Sequence, residues 1–178
     1  MNKDIEEVFY TEEELKSKVK EIGAQITKDY SGKTPVFIGV LKGCFIFMAD
    51  LLRSIDLDCS VDFMAVSSYR GTSSTGAVKI NKDLSHNIEG CDVIIVEDIL
   101  DSGITLSYLK QYLSVRKPAS IKIVTLMDKP SRRKADIHAD YSCFEVPDAF
   151  VVGYGLDYNE KYRNLPYIGV LKKEVYEK

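Results

Sequence analysis

Val93-Ile94-Ile95-Val96-Glu97-Asp98-Ile99-Leu100-Asp101-Ser102-Gly103-Ile104-Thr105-Leu106 is the stretch from which the rest of the chain is read. The β-branched apolar run Val93 to Val96 makes a strand buried on both faces, as in a parallel sheet. It gives way to two adjacent carboxylates, Glu97 and Asp98, and then to a third acid, Asp101. Ser102-Gly103-Ile104-Thr105 follows, and from Thr105 onward Leu106, Leu109 and Leu113 fall on one helical face. The order is strand, acidic tip, small hydroxyl-and-glycine loop, helix.

In an open parallel sheet, ligands bind at the carboxyl ends of strands, beside helix N-termini. A Gly/Ser/Thr loop opening a helix offers backbone N–H groups, hydroxyls and the positive end of the helix dipole, which suits phosphate. Carboxylates repel phosphate, so the acids point to a ligand that also carries a diol or a divalent metal. Paired carboxylates accept hydrogen bonds from vicinal hydroxyls, and Mg²⁺ prefers oxygen ligands. A ribose phosphate with Mg²⁺ satisfies both halves of the stretch.

Working outward, Val8-Phe9-Tyr10 reads as a short strand or arm. Thr11-Glu12-Glu13-Glu14 is a capping-box signature, and Leu15, Val19, Ile22 and Ile26 continue as a helical stripe toward Tyr30. Pro35–Leu41 reads as a buried strand, followed by a helix from about Phe45 to Ser54 with Phe45, Met48, Ala49 and Leu52 inward. Val61–Ser67 and Val78–Ile80 are strand-like and flank a polar segment, Tyr69–Gly76, which fits the tip of a long hairpin. Ile121–Met127, Phe150–Val152 and Tyr167–Leu171 complete the strands, with polar residues over Asp128–Ala139. Strands alternating with helices predict an α/β fold, an open parallel sheet with right-handed crossovers.

The string Glu97 to Thr105 closely resembles the phosphoribosyl-diphosphate (PRPP) binding motif of type I phosphoribosyltransferases. Asp148-Ala149-Phe150-Val151-Val152-Gly153-Tyr154-Gly155-Leu156-Asp157, continuing to Arg163, is similar to the C-terminal signature of the hypoxanthine-guanine branch of that family. The resemblance spans roughly Val36 to Val170. It implies a Rossmann-like type I phosphoribosyltransferase fold, one domain over 1–178, with a small hood from about 1–10 and 150–178 and a flexible hairpin loop. It implies purine salvage: transfer of the 5-phosphoribosyl group from PRPP to N9 of hypoxanthine or guanine, giving IMP or GMP and pyrophosphate, with Mg²⁺.

The family pattern carries over residue by residue. Asp101 is the implied general base. Asp101, Ser102, Gly103, Ile104 and Thr105 would hold the 5′-phosphate, and Glu97 and Asp98 the ribose diol. Lys42-Gly43, at a strand-to-helix turn, matches a pyrophosphate-holding loop in which a non-proline cis peptide often precedes the lysine. Arg163 would also hold pyrophosphate. Ser68-Tyr69 opens the family's mobile lid, which excludes water from an activated ribose. Lys129 would donate to a purine O6, Phe150 would stack on the purine, Val151 would offer backbone groups, and Asp157 would stand beside the base. Glu97, Asp98 and Asp157 are the implied metal ligands. Cys44, where glycine or alanine is common, and Ser102, where threonine occurs, are small departures.

Composition excludes other classes. The 178 residues carry a net charge of −3, so no global basic field favours nucleic acid. Arg132-Arg133-Lys134, the only basic cluster, reads as a solvated loop. No apolar N-terminal signal core or membrane-length run occurs, and Cys44, Cys59, Cys91 and Cys143 are spaced as buried free thiols of a reducing cytoplasm. His86 and His138 suggest no metal motif. Assembly as a homodimer or homotetramer follows from the resemblance alone. The competing readings are a xanthine-preferring or broad 6-oxopurine transferase and, from another class, a PRPP-sensing nucleic-acid-binding regulator on the same fold. No membrane association is expected.

Overall fold

The computed structural model describes residues 2–68 and 78–177. Its central strand outlasts the apolar run. β5 spans Asp92–Leu100, so Glu97 and Asp98 lie inside the strand and not beyond its end. Parallel pairing with β6 (Ser120–Asp128) carries it there, Glu97 opposite Thr125 and Leu100 opposite Asp128. A neighbouring ladder supplies backbone partners that side-chain hydropathy does not reveal.

On its other side β5 pairs in parallel with β2 (Val36–Leu41), from Val36 opposite Val93 to Gly39 opposite Val96. β3 (Ser60–Ser68) lies parallel to β2, and β4 (Val78–Lys82) closes that edge antiparallel to β3. Ser68 pairs with Val78, so β3 and β4 are the arms of the expected hairpin; the residues of its tip, Tyr69 among them, lie outside the described ones. β7 (Tyr141–Glu145) forms the opposite edge, parallel to β6, and the order is β4-β3-β2-β5-β6-β7. The sequence reading contains no strand there. β7 is short, and only alternate residues, Tyr141 and Cys143, are buried.

Alternation along β5 splits the core in two. Ile94 and Val96 pack with Leu15, Val19, Ile22 and Ile26 of α1 (Glu12–Asp29) and with Phe47 and Met48 of α2 (Phe45–Arg53). Val93 and Ile95 pack with Leu106, Leu109 and Leu113 of α3 (Ile104–Ser114). Helices thus cover both faces. α1 begins as expected: the Thr11 hydroxyl accepts from the Glu14 N–H while the Glu14 carboxylate accepts from the Thr11 N–H at 2.8 Å. In α2 the buried face is Phe47, Met48 and Leu51, whereas Phe45 is 45% exposed and Ala49 is exposed. The run Phe45-Ile46-Phe47-Met48 has no polar side to set its phase, so packing decides it. Of the four free thiols only Cys44 and Cys143 are buried; Cys59 and Cys91 are half-buried.

The two ends of the chain meet in a second sheet. β1 (Ile5–Tyr10) pairs antiparallel with β9 (Ile168–Leu171), which pairs with β8 (Val151–Val152). A one-turn helix, α4 (Lys173–Tyr176), follows. This hood touches the main sheet at its carboxyl edge: a Cβ on Gly155 would collide with the Gly43 carbonyl oxygen, and Gly155 has φ +106°. Only a residue without a side chain fits that approach.

Candidate active site

Two cavities open beneath the hood, of about 340 and 320 Å³, each of a size that holds a small ligand. The first lies over the ends of β2 and β5. Its floor is Glu97 and Asp98, one wall is Lys42-Gly43, and the other is the loop Asp101 to Gly103 with Thr105. Asp157 and Arg163 cover it from the hood. Ile104 is not part of the lining; its side chain is exposed. The second cavity is lined by Lys129, Phe150 and Val151, with Ile99 and Leu156. Ile99, Asp101 and Asp157 line both, so the two cavities abut along those residues.

The loop in the first cavity is shaped to receive an anion. Gly103, at φ +77°, is the N-cap of α3 and gives it no side-chain cap. The first-turn amides of α3 therefore depend on another acceptor; Ile104 N–H reaches the Ser102 hydroxyl only at 3.4 Å. Lys42 follows a cis peptide bond from Leu41, as the resemblance implies. A Cβ on Gly43 would run into the Asp98 carboxylate, so Gly43 leaves room for that acid.

The acids in the floor oppose each other. Glu97 and Asp98 are half-buried and line the cavity. Burial and then the Asp98 charge push the Glu97 carboxyl well above the ordinary range. Burial also raises Asp98, against the Ile99 N–H, which donates to it at 2.7 Å, and the Arg163 charge. Asp101 stands at the junction with its Oδ1 buried and without a hydrogen-bond partner among the described residues; Arg132 Nε is 3.6 Å away.

In the second cavity Lys129 is buried, and its ammonium donates to the Ala149 carbonyl at 2.6 Å. Burial pushes its pKa down. Phe150 is 38% exposed and meets two rings, Tyr176 stacked at 4.7 Å and Tyr158 edge-on at 5.5 Å. Asp157 accepts from Arg163 at 2.8 Å and from the Glu160 N–H at 2.8 Å. Ser68 ends β3, and Val66 of the same strand lines the first cavity.

Among the charged and aromatic residues lining the second cavity, the sequence reading gives no role to Arg132, Asp148 or Tyr176, nor to one residue that lies behind the lining. Arg133 belongs to the cluster read as solvated, yet its side chain is only 13% exposed. Its guanidinium donates to the Asp101 carbonyl at 3.0 Å and the Ile137 carbonyl at 2.5 Å, and pairs with Asp128. It braces the loop that begins at Asp101 from behind. Its partners are mostly carbonyls, which charge patterns do not report. The Tyr176 ring comes from α4, which no periodicity signals.

Among the described residues no group of three or more His, Cys, Asp or Glu side chains converges as a metal cage. Glu97, Asp98 and Asp157 instead surround one cavity, which fits a Mg²⁺ held largely by a ligand's own oxygens and water.

A family model described as the phosphoribosyl transferase domain matches residues 7–159. The chain belongs to that family. It is 62% identical to the hypoxanthine-guanine phosphoribosyltransferase of Bacillus subtilis (strain 168), over 99% of each chain. The protein of the same name from Streptococcus thermophilus (strain CNRZ 1066) is 55% identical over 100% of this chain and 99% of its own. A crystal structure of a Staphylococcus aureus hypoxanthine phosphoribosyltransferase superposes with a TM-score of 0.95 at 58% identity, covering 98% of this chain and 96% of that one. The phosphoribosyl transferase fold is therefore the frame in which the two cavities are to be read.

Two outcomes follow for this phosphoribosyl transferase. Gly43→Ala, by displacing the Asp98 carboxylate, is expected to lower turnover about 10²-fold while the chain stays folded, read by steady-state kinetics beside circular dichroism. An acid raised above its unfolded value of about 4 contributes stability at low pH and loses it as pH rises through the folded value. Glu97→Gln is thus expected to raise the thermal midpoint of the ligand-free protein at about pH 8, the gain fading toward about pH 5, measured by calorimetry in metal-free buffer.

Proposed function

We propose that the chain transfers the 5-phosphoribosyl group of Mg²⁺-PRPP to N9 of hypoxanthine or guanine, forming IMP or GMP and releasing pyrophosphate, in the cytoplasm and as a homo-oligomer. The observation that carries the reading is the shared wall. One cavity offers an anion loop and a paired-acid floor, the other a buried lysine and an aromatic ring, and both end on Asp101 and Asp157. A sugar carbon in the first and a ring nitrogen in the second would meet there.

In this reading the 5′-phosphate rests on the Asp101–Thr105 loop, against the amides of α3. Glu97 and Asp98 accept from the ribose 2′- and 3′-hydroxyls, and their charge favours the positive character that develops at the sugar. Lys42 and Arg163 hold pyrophosphate, Arg163 through its fork. Glu97, Asp98 and Asp157 would hold Mg²⁺ directly or through water, and the ion when bound neutralises charge on the leaving pyrophosphate. The purine lies on Phe150, with the Val151 backbone at its edge. Lys129 donates to O6, which disfavours adenine because adenine presents a donor there. N9 attacks C1′, the C1′–O bond to pyrophosphate breaks, and the N7 proton passes to the Asp101 carboxylate. Ser68 and Tyr69 would close the site against water.

The direct test is PRPP-dependent nucleotide formation with hypoxanthine, guanine, xanthine and adenine. Turnover of the first two with little of adenine supports the reading; a dominant xanthine rate would make the enzyme a xanthine transferase. No turnover together with a mobility shift on RNA would replace the enzyme by a regulator. Asp101→Asn is expected to lower kcat about 10²- to 10⁴-fold with PRPP binding nearly unchanged, measured by pre-steady-state turnover and calorimetric titration. Unchanged kcat would remove the base role.

A further inference from the structure

The two cations at the pyrophosphate end of the site already share an anion. Glu160 Oε2 is 3.0 Å from Lys42 Nζ, and Glu160 Oε1 is 3.5 Å from Arg163 Nη2. One carboxylate therefore spans two elements, the turn after β2 and the hood. The turn that carries it does not depend on that carboxylate. Its backbone N–H donates to Asp157 Oδ2 at 2.8 Å, and Tyr158 and Lys161 exchange backbone bonds across it. Arg163 is held elsewhere, by Nη1 on the Gly155 carbonyl at 2.8 Å and by Nη2 on Asp157 at 2.8 Å. The Glu160 side chain is 64% exposed, against 28% for Asp157 and 19% for Arg163. Of the hood groups meeting here, the Glu160 carboxylate is the most exposed and the least held, and the Lys42 side chain it meets is 67% exposed.

We propose that Glu160 is an internal counter-ion for the pyrophosphate subsite: PRPP displaces it from Lys42 and Arg163, and it returns to them as pyrophosphate departs. The inference rests on the reading of Lys42 and Arg163 as pyrophosphate holders. Glu160 opposes binding in two ways. Its contacts must be broken before phosphate oxygens can take them, and its charge then remains beside a polyanion. The same charge hastens release. Exposed ion pairs are individually weak, so the effect on affinity is about two- to fivefold.

The test uses the full chain with Mg²⁺ and inorganic pyrophosphate, followed by calorimetry, and PRPP kinetics alongside. Glu160→Gln keeps the backbone bond and the side-chain length. It is expected to bind pyrophosphate about two- to fivefold tighter and to lower the KM for PRPP in proportion, a gain that shrinks as salt is raised. The KM for hypoxanthine should not move, and pyrophosphate should become a stronger product inhibitor. In a Lys42→Met background the gain should shrink, since one of the two contacts is already gone. Equal affinities in native chain and Glu160→Gln would overturn the proposal, and weaker binding by the variant would make Glu160 a helper of the ligand instead. If the native chain bound no pyrophosphate and turned over no PRPP, the reading of the site would fail with it; native binding with an unresponsive variant removes only the role of Glu160.

Discussion

Two neighbouring carboxylates inside a buried strand constrain everything around them. Burying ionised acids side by side is unfavourable unless they are neutralised or partnered. The fold keeps Glu97 and Asp98 because each surrounding element yields to them. The turn after β2 carries Gly43, a residue without a side chain, so Asp98 has space. The Ile99 N–H turns back onto Asp98. Arg163 lends positive charge from the hood. The arrangement stays electrostatically incomplete, as a site should be that takes its remaining partners from a ligand.

The loop that follows is held from behind. Arg133 fastens the Asp101 carbonyl, and the Lys134 and Ala135 N–H groups both donate to the Ser102 carbonyl, at 2.9 and 3.1 Å. With its carbonyls tied down, the loop keeps its amides for the cavity. The segment after β6 thus holds the loop of the first cavity from outside it, and Arg132 and Lys129 from the same segment face the second cavity. One short stretch of chain supports both halves of the site.

What the sequence discloses here is what is local. The apolar run of β5, the acid pair and the capping box of α1 announce themselves because their residues act on near neighbours. The resemblance reaches further, since residues as distant as Lys42 and Arg163 do line one cavity. The phase of α2 is lost because its apolar residues go all the way round. β7 is lost because an edge strand of five residues leaves little pattern. Arg133 looks solvated because its partners are backbone atoms, and the Tyr176–Phe150 stack joins residues whose proximity depends on how the hood closes. The partners of a charge, more than its presence, are what three dimensions add.

The pairing of β1 with β9 has a consequence for the order in which the molecule is made. β1 is made well before β9 and has to wait for it before it finds its ladder. The strands and helix that frame the first cavity, β2, β5 and α3, are all synthesised before Phe150 and Arg163 exist. A nascent chain can therefore pair the parallel strands that hold Glu97 and Asp98 while β8 and β9 of the second sheet are still untranslated.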